Sequence, residues 1–124
     1  MSKIVPLLLT FTLSLALAVG PLAAGDSTKR PELITGEVVS LWNYMARGQH
    51  GEDERGYSVR LVEKGLPVAI LTEDGELYIV VAAGGDSAVR KVAPLMGLEV
   101  NAQGIVHRDK GVNLIEIKMI SEAL

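Results

Sequence analysis

Beyond residue 25 the chain alternates short apolar runs with glycine-, proline- and acid-rich breaks, and this pattern sets five strands and two helices in order. Leu33 to Met45 is rich in β-branched and aromatic residues and predicts a long first strand, with Gly36 near its start. Arg47 to Gly56, with three glycines among charged residues and His50, predicts an exposed loop. Tyr57, Leu61 and Val62 stand at helical spacing, and Gly65 follows where a left-handed cap belongs, so Tyr57 to Lys64 predicts a short helix.

Pro67 to Leu71 and Glu76 to Ala82 predict strands two and three, joined by the Asp74-Gly75 hairpin signal. Asp86 or Ser87 is placed to cap a helix running towards Met96, which Pro94 limits and Gly97 ends. Leu98 to Val106 alternates as strand four; His107 to Gly111 reads as a turn, and Val112 to Ile120 as strand five. A helix between the third and fourth of five strands is the arrangement of an OB-fold, a small Greek-key barrel. A small open sheet with both helices packed on one face is the alternative. The expected core contains Val38, Ile70, Leu77, Ile79, Val100, Ile115 and Ile117.

The beginning of the chain has a different character. Lys3 precedes an almost wholly apolar stretch from Ile4 to Val19, Gly20-Pro21 breaks it, and Ala23-Ala24-Gly25 supplies small residues. This three-part pattern is that of a secretory signal peptide. The expected organisation is a signal peptide over 1–25, a polar tether over 26–32 and one domain over 33–124. The expected compartment is the periplasm or the exterior, with membrane contact only through the signal peptide before cleavage.

Composition narrows the chemistry. The absence of cysteine excludes disulfide staples, zinc ribbons, CxxC redox motifs and c-type haem attachment. Lys3 is the only charge in the first 25 residues. The remainder therefore carries 11 basic against 15 acidic residues, a balance of −4, which argues against nucleic acid as a partner. No Ser, Thr or His stands in a nucleophile motif, so no enzyme activity is expected.

Three groups remain as candidate sites. Trp42 and Tyr44, two apart on the expected first strand, would share one face and could stack on a ligand, or Trp42 could plug a barrel end. His50, Glu52 and His107 lie in segments that flank one region of an OB-fold and could converge on a divalent metal; otherwise the histidines are unrelated surface residues. Gly84-Gly85-Asp86-Ser87 before a helix suggests an anion site, but Asp86 opposes an anion and no nucleotide-binding spacing is present. The loop from Arg47 to Gly56 is expected to be mobile and to be where a partner binds.

The stretches Ile34 to Val39, Gly65-x-Pro67 with Leu71 to Tyr78, and Gly97 to Ile120 resemble a group of small, largely uncharacterised exported bacterial OB-like domains. The resemblance spans Ile34 to Ile120 and implies the fold and the compartment. Relatives in that group often carry cysteines at places corresponding to Asn43, Tyr57 and Leu61, so a thiol-based metal or redox role does not carry over. The expected function is a non-enzymatic exported binding module for a small ligand or another envelope protein. The alternative is a metal-binding envelope protein using His50 and nearby carboxylates.

Overall fold

The structure, a computed structural model, describes residues 29–124; the expected signal peptide and the first part of the tether lie outside the described residues. Five strands form the wall: β1 (Glu32–Ser40), β2 (Val68–Leu71), β3 (Leu77–Ala82), β4 (Glu99–Asp109) and β5 (Val112–Glu122). They close into a barrel in the order β1-β2-β3-β5-β4, with β3 and β5 parallel and the other pairs antiparallel. This is an OB-like barrel, in which each strand has a neighbour on both sides.

β1 serves two partners. Its first part pairs with β4 and its second with β2, and Glu37 pairs with both. Gly36 sits at this crossover, where a Cβ would lie 2.4 Å from the Leu71 carbonyl oxygen, so only glycine lets the strands coil so closely. Gly104 plays the same part on β4, where a Cβ would fall 2.0 Å from the Glu116 carbonyl oxygen. The β4–β5 register shifts there, leaving Lys118 unopposed as a bulge.

The first strand ends at Ser40, not at Met45. Leu41–Arg47 is a helix, α1. Ser40 caps it by accepting from the Asn43 amide at 3.2 Å, and Gly48, at φ 67°, closes it in the left-handed conformation. Two caps eight residues apart outweigh the strand preference of Trp42 and Tyr44. A 3-10 turn at Glu52–Glu54 leads into α2 (Arg55–Glu63), close to the expected helix. The helix expected towards Met96 is one short turn, α3 (Val89–Val92), followed by a 3-10 turn at Ala93–Leu95.

Inward-facing positions form rows across the wall. Val38, Ile70 and Tyr78 are register partners on β1, β2 and β3, and Val80, Ile115 and Val106 form a second row. All six are buried. Leu77 and Ile79, expected in the core, instead face outwards and are only half-buried, while Tyr78 and Val80 take the inner face. The other five expected core residues are buried. Ala88, Val92 and Met96 join the same cluster from the β3–β4 connection, Val92 and Met96 each contributing up to about 1.5–3 kcal/mol. Near the turn between β4 and β5, Arg108 makes two bonds to Glu32, at 2.9 and 3.0 Å. A third reaches the Tyr78 hydroxyl at 3.3 Å.

Candidate functional site

A cleft of about 620 Å³ opens on the outside of the barrel where β1 leaves β4 for β2. Its position follows from register: Glu99, Glu37, Leu71 and Leu77 form one outward row across β4, β1, β2 and β3. Glu37, Glu99 and Leu71 line the cleft, with Glu73 and Thr72 from the β2–β3 turn and His50 from the segment after α1. No lysine or arginine is among the lining residues. Three carboxylates therefore face one opening.

Glu37 organises one wall. Its carboxylate accepts from His50 Nδ1 at 2.9 Å and from the Gly51 amide at 2.7 Å. Tyr44 meets the His50 ring edge-on, with centroids 5.6 Å apart. Gly97 makes this packing possible. At φ 79° it donates to the Val38 carbonyl at 2.8 Å, and a Cβ there would lie 2.9 Å from the Gly51 oxygen. Glu99 and Glu73 are exposed, and among the described residues neither carboxylate has a side-chain hydrogen bond or ion pair.

Behind this wall a buried polar cluster fixes the insertion between β1 and β2. Asn43 is fully buried; its Oδ1 accepts from Arg47 at 2.8 Å, and its Nδ2 donates to Glu54 at 3.0 Å and Ser58 at 3.2 Å. Arg47 also pairs with Glu54 at 3.5 Å and lies over the Tyr57 ring at 4.7 Å. Arg55 donates to the Pro94 carbonyl at 2.6 Å. The segment expected to be mobile is instead tied at Asn43, Glu37 and Pro94.

The candidate residues are distributed differently from the expectation. On a helix, Trp42 and Tyr44 are about 200° apart and do not share a face. Tyr44 contacts the site residue His50, whereas Trp42 is exposed elsewhere on α1 and does not line the cleft. Glu52 is exposed on the 3-10 turn and does not line it either. His107 lies on β4, not in the turn after it, eight residues beyond Glu99 and roughly 25 Å along the strand. The expected convergence of His50, Glu52 and His107 does not form. His50 bonds to Glu37 and His107 to Glu116. Among the described residues no three His, Cys, Asp or Glu side chains are grouped to hold a metal ion. Gly84 donates its amide to the Glu116 carboxylate at 3.1 Å, and α3 is too short to offer an anion site.

No family model, curated protein or solved structure matches the chain. No site role was expected of Glu37, Glu73 or Glu99. One signal was available: Glu37 is the only charged residue between Leu33 and Ala46.

Proposed function

We propose that this chain is an exported, non-enzymatic OB-type binding module whose cleft receives a positively charged group. The observation that carries the reading is the cleft lining: Glu37, Glu73 and Glu99 face one opening with no basic side chain beside them. Carboxylates of one sign around a concave surface focus potential and attract cations. Leu71 within the cleft, and Leu77 next to it in the same row, favour a ligand with an apolar stem behind its charge. A polyamine fits that description, as does a lysine or arginine side chain of another envelope protein.

The non-enzymatic part of the reading is supported by the imidazoles. Both direct their hydrogen bonds to carboxylates or an ammonium, and neither orients a hydroxyl nucleophile. The pattern of residues 1–25 supports action in the periplasm or outside the cell. The test is calorimetric titration with spermidine and with a short Lys/Arg peptide, against a Glu peptide of equal length. Saturable binding of the cations, lost in Glu73→Gln/Glu99→Gln and weakened by salt, is expected. Equal binding of the acidic peptide, or none of the cations, contradicts the reading.

A further inference from the structure

Alternation along β3 puts Tyr78 and Val80 inside the barrel and Leu77, Ile79 and Val81 outside it. All three outer residues are half-buried. The β2–β3 register sets Leu71 beside Leu77, and the β3–β5 register sets Leu114 beside Ile79. The outer face of β3 is therefore apolar, with apolar flanks.

A second cleft, of about 540 Å³, lies between the end of α2, the segment leading into β2 and the loop after β3. Ile79, Val81 and Leu66 line it, together with the exposed Glu63 and Asp86. No lysine or arginine is among its lining residues. The outer face of β3 joins the two openings. Leu71 lines the first, Ile79 and Val81 line the second, and Leu77 lies between, across the ladder from Leu71 and two residues before Ile79.

Partly exposed apolar side chains in a row that joins two concave openings offer contact area to a partner. Charge selects the partner. Glu37, Glu73 and Glu99 line one opening and Glu63 and Asp86 the other, so an acidic segment is repelled at both ends and a basic one attracted. Leu77 to Val81 spans about 13 Å along β3, and two strand spacings of about 4.8 Å separate Leu77 from Glu37. The diagonal is about 16 Å, which an extended peptide crosses in about five residues. Every second side chain of such a peptide faces the barrel, so apolar residues at alternate positions meet Leu77 and Ile79 while a basic residue reaches each end.

We propose that the outer face of β3 docks an extended segment of another protein in which two basic residues bracket apolar ones, one cation seated in each opening. This rests on the reading of the first cleft as a cation site, and adds to it the second opening and the apolar face between.

The test is calorimetric titration of the full chain with the heptapeptide Lys-Thr-Leu-Thr-Leu-Thr-Lys. One counterpart carries serine for both leucines, and another carries serine for one lysine. Spermidine, titrated alongside, reports the first cleft by itself. The leucine peptide with both lysines should bind at least tenfold more tightly than either counterpart. Its amide shifts on the chain, absent with the serine peptide, should fall at Leu77 to Val81. Ile79→Thr/Val81→Thr keeps β-branched residues on the strand and should bring the leucine peptide down to the serine one, with spermidine binding unchanged. Glu63→Gln/Asp86→Asn should remove the advantage of the second lysine. If either variant disturbs the barrel, the peptide comparison on the unaltered chain decides alone. Equal affinity of the leucine and serine peptides, with spermidine bound, would overturn this proposal and leave the reading of the first cleft standing. A leucine advantage that persists in a folded Ile79→Thr/Val81→Thr would place the peptide elsewhere and overturn it too. Failure of every cation to bind would overturn the cleft reading, and this proposal with it.

Discussion

Glu37 and Glu99 stand directly opposite each other across the β1–β4 ladder, two carboxylates on register partners facing one cleft. Like charges placed so are destabilising, by roughly 0.2–1 kcal/mol for a cross-strand pair. His50 and the Gly51 amide answer the charge of Glu37, and among the described residues no ion pair answers that of Glu99. A barrel built only for stability would not keep this pair. Glu99→Gln is therefore expected to raise the urea midpoint slightly, by the equivalent of about 0.2–1 kcal/mol, and to weaken cation binding in the same protein. A variant that loses stability and binds as before would separate Glu99 from the cleft's role.

At Gly104 the β5 backbone leaves no room for a side chain. A Cβ 2.0 Å from the Glu116 carbonyl oxygen has no room without moving backbone. Gly104→Ala should cost at least the about 1–3 kcal/mol of an overpacked core site, read from denaturant unfolding. Gly56→Ala, where a Cβ meets nothing within 4 Å, is the control and should be near neutral.

Asn43 links the helices that carry the cleft wall. Asn43→Ala removes the acceptor for Arg47 and the donors to Glu54 and Ser58, and leaves the buried Ser58 hydroxyl short of a partner. A loss of about 1–3 kcal/mol is expected. Loss of the side-chain bonds that anchor α1 should also loosen the Asn43 backbone carbonyl that accepts the Gln49 amide, and because that segment leads to His50, amide exchange at Gln49 to Gly51 should quicken.

Acid should loosen the barrel through two carboxylates. Arg108 holds Glu32, and His107 followed by the Gly84 amide hold Glu116, below the usual carboxylate range. A carboxylate with a depressed folded-state pKa stabilises above its unfolded value, and that stability is lost as pH falls through the folded value. Thermal midpoints are expected to decline from about pH 5 downwards, and Glu32→Gln/Glu116→Gln should flatten the slope. Both side chains are partly exposed, so solvent keeps each contribution to about 0–1 kcal/mol. An unchanged slope in the double variant would assign acid sensitivity to other groups.

The barrel was legible because turns and glycines mark β2, β3, β5 and the start of β4, although β4 runs on to Asp109 where a turn was expected and the helix before Met96 is only one turn. Two features were not. Leu41 to Arg47 carries strand-favouring aromatics, and its helix is decided by Ser40 and Gly48, caps whose pairing shows only when spacing outweighs composition. The run Leu77 to Ala82 is apolar throughout, so periodicity could not choose its inner face. Pairing of Ile70 with Tyr78 does. The site was hidden for another reason. Glu37, Glu73 and Glu99 lie far apart in sequence, and only the register that aligns β4, β1 and β2 brings them to one opening.

The most direct measurement of the central claim is a ¹H–¹⁵N spectrum recorded through a spermidine titration. Saturable shifts should concentrate at Gly36, Glu37, Gly51, Thr72, Glu73 and Gly97, around the cleft, and should vanish in Glu73→Gln/Glu99→Gln. Shifts spread evenly over the acidic surface, or unchanged in that variant, would contradict a binding module centred on the cleft.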